Sequence, residues 1–358
     1  MPFNCRWHFH FLSLSSGDPH PLAAVFTPSD PPPSLRHSAH LQLLVAGDHV
    51  AALLSGYQLK ICNWKTGQTV FVSPGTYSLT QRRMILTSHQ SIMSPNVLSV
   101  AFLPENRILV ASIHAPELAD IPIPRFMALS PVLAVFNLPI HMMGHQPVRH
   151  IPAAMFALEL GRDIVPFSMR LHYRLNAHTY SAEVDVPFFS SPTDQIVALE
   201  TTNHLRTPDS RGPGFVFILR HVVLIPIAKL LCHVGATEDG RTCFVQWDDW
   251  GATGIYRVPA PEPSFCRNSV CGPRFIPRPQ SRSVIGVWNF SRAQGRLAHP
   301  QTSVSESIQC TEREVVLPTG ISGSVTAAIS EDAIVIHEAS NHRPIYLSIL
   351  SFISDLRP

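Results

Sequence analysis

Short runs of apolar residues alternate with polar turns along this chain, and the clearest case is GDHVAALLSGYQLKICNWKTG at 47–67. One apolar run (Val50–Leu54) meets a small turn at Ser55 and Gly56, and a second run (Leu59–Cys62) leads into Asn63, Trp64, Lys65, Thr66 and Gly67. Two such runs around a glycine turn predict a β-hairpin. Trp64 is expected to be largely buried and to anchor the end of the outgoing strand, because a large aromatic contributes most when desolvated. Gly67 is expected to have a positive φ, which glycine supplies at least cost. Looser versions recur at 97–113, with Pro104, Glu105 and Asn106 as the turn, and at 325–336, with Glu331 and Asp332 turning.

Further strands are predicted at Val132–Leu138, Met155–Leu160, Ile164–Leu171, Ala182–Val186, 194–201, 215–219, 222–227, Phe244–Trp247, Ser283–Phe290, Glu314–Leu317 and Ile345–Phe352. No helix-period segment of useful length stands out. The 33 prolines disfavour long helices and suit short strands joined by turns. The expected fold is therefore all-β. Recurrent hairpins on one chain point to a degenerate WD-repeat-like β-propeller, with a large β-sandwich as the rival. Between Leu41 and Phe352 there is room for about seven blades at roughly 40–45 residues each. Residues 1–40 read as an N-terminal strand (alternating Trp7, Phe9, Phe11) and a proline-rich connector (Pro28–Ser34), and 41–352 as one propeller-like domain.

Composition narrows the function. The chain has 358 residues, 45% hydrophobic and 15% charged, so there is ample apolar surface for a core. Its formal net charge of +2 is spread along the sequence, which argues against a nucleic-acid partner or an anionic membrane surface. The longest apolar region, Phe215–Cys232, is interrupted by Arg220, His221, Pro226 and Lys229, and reads as two strands rather than a membrane span. The start lacks the basic end and apolar core of a secretory signal. Seven widely spaced cysteines fit buried thiols better than a disulfide framework. A cytoplasmic or nuclear location is expected.

Several segments resemble a family. GDHVAALLSGYQLKICNWKTG, VAFLPENRILVAS, VPFFSSPTDQIVALE, FVFILRHVVL, WDDWG, SFCRNSVCGPRFI and RPIYLSILSF, in this order, are similar to the C-terminal region of mushroom-type fungal (basidiomycete) F-box proteins. The resemblance spans about residues 7–352. It implies a long propeller-like region that recognises a protein partner for a ubiquitin ligase. The helical F-box, with its Leu-Pro-x-Glu signal, has no match here. A truncated reading frame or a relative lacking the F-box is expected. Docking to the Skp1 adaptor is implied only if an upstream F-box is restored.

Candidate chemistry is sparse. His337 and His342 lie five apart between strand-like flanks, whereas the zinc-protease motif needs two histidines four apart on a helix. Cys266 and Cys271, with His233 and Cys243 upstream, lack the close second pair of a structural zinc site. His8 and His10 share a strand face without an identifiable third ligand. Ser322 within Gly320–Ser324 misses the nucleophile elbow, because Ser324 stands where the last glycine belongs. Asn289-Phe290-Ser291 matches a glycosylation sequon, inert without a secretory route. No cofactor, metal or catalytic residue is assigned. The one candidate contact is the turn Trp247, Asp248, Asp249, Trp250: tryptophan is enriched at binding hot spots, although packing of these two between sheets is the favoured reading, because Trp is usually highly buried. The expected function is a non-enzymatic protein-interaction module. The alternatives are a propeller hydrolase or lyase using the axial channel, or a truncated product without retained function.

Overall fold

The computed structural model describes residues 12, 16–18, 20, 41–54, 58–72, 97–112, 124, 130–138, 151–159, 164–173, 195–205, 217–234, 241–251, 256–259, 270–277, 284–292, 308–316, 324–329, 333–339 and 346–351. The protein is all-β, with two short helices among the described residues. It divides into two compact units: Met1–Ala157 with Asp239–Phe244, and Leu158–Glu238 with Val245–Pro358.

In the first unit, β1 (Leu41–Ala46), β2 (His49–Leu54), β3 (Gln58–Asn63) and β4 (Thr69–Val72) form one antiparallel sheet in chain order. A second sheet begins with β5 (Val97–Leu103), β6 (Arg107–Ser112), β7 (Val132–Asn137) and β8 (Ala154–Ala157), again in chain order. Both hairpins predicted here are present, and Pro104, Glu105 and Asn106 make the β5–β6 turn. Strands β6, β7 and β8 are buried on both faces, which is why their sequences are nearly continuous apolar runs rather than alternating ones. The two sheets meet through polar as well as apolar groups. Gln42 donates from Nε2 to the Val100 carbonyl at 3.3 Å and accepts from the hydroxyl of buried Ser99 at 3.3 Å.

Turn chemistry closes the first sheet. Gly47, at φ 53°, opens the two-residue β1–β2 loop, where a II′ turn requires glycine. At the β3–β4 end, the Asn63 side-chain oxygen accepts from the backbone N–H of Lys65 (3.0 Å) and Thr66 (3.1 Å). Gly67 takes φ 71°, as its sequence context predicts, and donates to the Asn63 carbonyl at 2.8 Å. Trp64 joins the two turns: its backbone N–H reaches the Asp48 carbonyl at 2.9 Å and its indole Nε1–H the Gly47 carbonyl at 2.8 Å. Lys65 adds an ion pair to Asp48 at 2.7 Å, and His20 meets the indole edge-on at 5.0 Å. Trp64 is partly buried, short of full enclosure and not mostly in solvent. Its polar edge is held by the Gly47 carbonyl, and the Lys65 ammonium lies over the ring, 5.6 Å from its centroid.

The second unit carries β9 (Ile164–His172), β10 (Ile196–Leu205) and β11 (Phe217–Pro226), after which α1 (Ile227–Val234) buries Ile227, Leu230 and Val234. Cys243 and Phe244 of β12 (Cys243–Val245) belong instead to the first unit, where the strand extends the second sheet beside β8 through the Cys243 N–H on the Ala153 carbonyl; α2 (Trp247–Trp250) and β13 (Tyr256–Pro259) follow in the second unit. Strands β13-β11-β10-β9 form the third sheet. The fourth is a meander of β14 (Val270–Cys271), β15 (Arg274–Phe275), β16 (Val284–Arg292) and β17 (Ile308–Val316), and the fifth one of β18 (Ser324–Ile329), β19 (Ala333–Ala339) and β20 (Tyr346–Ser351).

Several expectations change here. Phe215–Cys232 is not two strands: β11 runs through Arg220 and His221 without a turn, because β10 pairs with it along ten positions. The apolar residues after Pro226 are helical. In a run this short, periodicity does not separate strand from helix. The predicted strand Ala182–Val186 lies outside the described residues.

Strand β16 shows why the fourth sheet needs cover on both faces. Trp288 and Phe290 point to one side, where Phe275 and Val270 join Ile196, Ala198, Val222 and Leu224 of the third sheet. Ile285 and Val287 point to the other, joining Cys271 and Ile276 of the same sheet with Ile329 and Ile334 of the fifth. The edge strand β17 instead exposes Thr311, Glu312, Arg313 and Glu314, charges that discourage pairing with another chain.

Two substitutions in the first sheet separate burial from backbone geometry. Trp64→Ala is expected to cost about 1–2 kcal/mol, below the range for a fully buried aromatic. Gly67→Ala should cost about 1–2 kcal/mol through its left-handed φ alone. Chemical denaturation of both variants checks this, and a Trp64→Ala loss of about 4 kcal/mol or more would contradict the half-buried placement.

Candidate functional site

The sequence-predicted contact at 247–250 is one helical turn rather than an irregular loop. The Gly251 N–H closes it on the Trp247 carbonyl at 2.7 Å. A turn of this length brings residues three apart onto one side, so the two indoles meet edge to face with centroids 5.4 Å apart. Trp250 is the buried member at 1% exposure, and Trp247 is half-buried. Asp248 and Asp249 are exposed, in the first turn, where carboxylates complement the helix dipole. Gly251 allows the arrangement, because a Cβ there would sit 2.3 Å from the Trp247 ring. Beside this turn, His233 near the end of α1 feels the field of Asp249 as well as that of Lys229.

A second polar group, not singled out by sequence spacing, lies within the third sheet. His172 of β9 and Glu200 of β10 pair at 3.1 Å between Nε2 and Oε2, with side chains 8% and 9% exposed. The β9–β10 register, which sets His172 opposite Ala198, brings them together across 28 residues. Further along β10, Asn203 donates from Nδ2 to the Thr201 hydroxyl at 3.0 Å and lies 3.4 Å from His221 Nδ1. Tyr173 donates to the side-chain oxygen of buried Gln195. The only sequence signal was a polar stretch, Glu200–His204, continuing an apolar strand. A carboxylate holding an imidazole can orient it, but with both groups nearly enclosed the pair first fixes the register of β9 on β10.

Other candidates fall as follows. His337 and Glu338 are neighbours in strand β19, which a helical zinc motif cannot use. His342, Cys266, His8, His10 and Ser322 lie outside the described residues, as do Glu331 and Asp332. Asn289 sits within the paired strand β16, its carbonyl accepting from the Thr311 hydroxyl at 3.3 Å. Among the described residues, no three His, Cys, Asp or Glu side chains gather as a metal site. Cys62 and Cys271 are buried as expected. Cys243 and Cys310 are half-buried, with burial pushing both thiols up, and Cys232 on α1 is exposed.

Gly251→Ala should force the Trp247 ring off its place and cost about 1–3 kcal/mol, as overpacking does. A shift in tryptophan fluorescence would accompany the loss, and unchanged emission and stability would contradict the packing. For the buried pair, His172→Leu or Glu200→Leu alone should cost about 3–5 kcal/mol, while the double variant should lie near wild type. A double-mutant cycle in denaturant reads the difference.

Burial pulls the His233 imidazole below its ordinary 6.5, Lys229 adds to this, and Asp249 opposes it. Burial also lowers His49, against the pull of Asp48. In the unfolded chain both histidines take a proton near 6.5, while the folded forms resist it. The unfolded state therefore binds more protons as pH falls below that value, and stability declines in that window. In an NMR titration, Lys229→Ala should raise the His233 midpoint and Asp249→Asn should lower it. Movement in the opposite sense would overturn the assignment.

Compared with protein-family models and with curated proteins, the chain matches none.

Proposed function

We propose that the successive meanders are blades of a degenerate WD-repeat-like β-propeller, and that the protein is a non-enzymatic recognition module for a protein partner in the cytoplasm or nucleus. The observation that carries this reading is the build of the sheets. The first, fourth and fifth are meanders of strands consecutive in sequence, and the second begins as one. Within the second unit the fourth sheet is covered by apolar side chains on both faces. Stacked meanders of this kind are the repeating element of a propeller, whose rigid blades leave the connecting loops for recognition. The resemblance to the C-terminal region of F-box proteins points the same way, with substrate recognition for a ubiquitin ligase as its content.

Within this reading the turn at Trp247–Trp250 is a contact surface. Two exposed carboxylates beside a half-buried indole suit a basic side chain, which would meet charge and a π face together. Trp250 is the anchor that keeps the turn in place and does not itself touch the partner.

The test is an affinity capture in which the chain is expressed alone, fused to an F-box, and as a fused Asp248→Lys/Asp249→Lys variant. The expected result is a protein enriched reproducibly by both unmodified forms, ubiquitinated only with the fusion that also recruits the Skp1 adaptor, and lost with the charge-reversed turn. Absence of any reproducible partner from both unmodified forms would overturn the recognition reading. A partner retained by the charge-reversed variant would keep the function and move the contact elsewhere.

A further inference from the structure

We draw no further inference here: the strongest candidate, the uncharged strand β1 at the edge of its sheet among the described residues, with Leu43 and Val45 exposed, carries no proposal because nothing in the structure shows what covers it.

Discussion

Burial of strands on both faces is the constraint from which the rest of this architecture follows. A strand such as β7, with Val132, Leu133, Ala134, Val135 and Phe136 all enclosed, has no side that water can take. Each of its backbone groups must be paired within a sheet, and each face needs another layer. The fourth sheet meets this requirement in the second unit, where β16 sends Phe290 and Trp288 into one cluster and Ile285 and Val287 into another. At about 1.5–3 kcal/mol for each large apolar side chain removed from water, such two-sided burial is the main return for ordering so many short strands.

Short strands make the connections decisive. When consecutive strands pair antiparallel, a tight turn sets the register, and a slip of one residue would turn every apolar side chain to the wrong face. The first sheet protects its register at one end with several independent devices: the Gly47 loop, the Asn63 side chain on two backbone N–H groups, and the left-handed Gly67. Trp64 couples the two loops through carbonyls rather than through deep burial. The β5–β6 turn takes another course. Glu105 and Asn106 both hold positive φ, and Glu105 is tied to Arg107 at 2.7 Å, which helps offset the strain of a non-glycine residue there.

Polar groups inside the third sheet show the same dependence on register. The His172–Glu200 pair and the Thr201–Asn203–His221 group lie on strands that are otherwise apolar, and their hydrogen bonds exist only because β9, β10 and β11 align as they do. A buried carboxylate without its imidazole partner would be strongly unfavourable. These side chains therefore penalise alternative alignments more than they add to stability. At Trp247–Trp250 the balance differs: the indoles are drawn inward, and the carboxylates remain in water where the turn leaves the sheet.

What the sequence determined by itself was local. Alternating apolar positions and turn residues were enough to place the β2–β3 and β5–β6 hairpins, the β18–β19 pair and the conformation of Gly67, because those signals act over a few residues. They also sufficed for the all-β class. Tertiary structure decided the rest. Only the long partner β10 makes Phe217–Pro226 one strand through Arg220 and His221, and only packing turns Ile227–Val234 into a helix, since an apolar run that short satisfies either period. The half-burial of Trp64 depends on a carbonyl seventeen residues earlier, and the His172–Glu200 pair on a register set across 28. Contacts of that range leave no periodic trace in the chain, because they follow from which strands align rather than from the spacing of residues along any one of them.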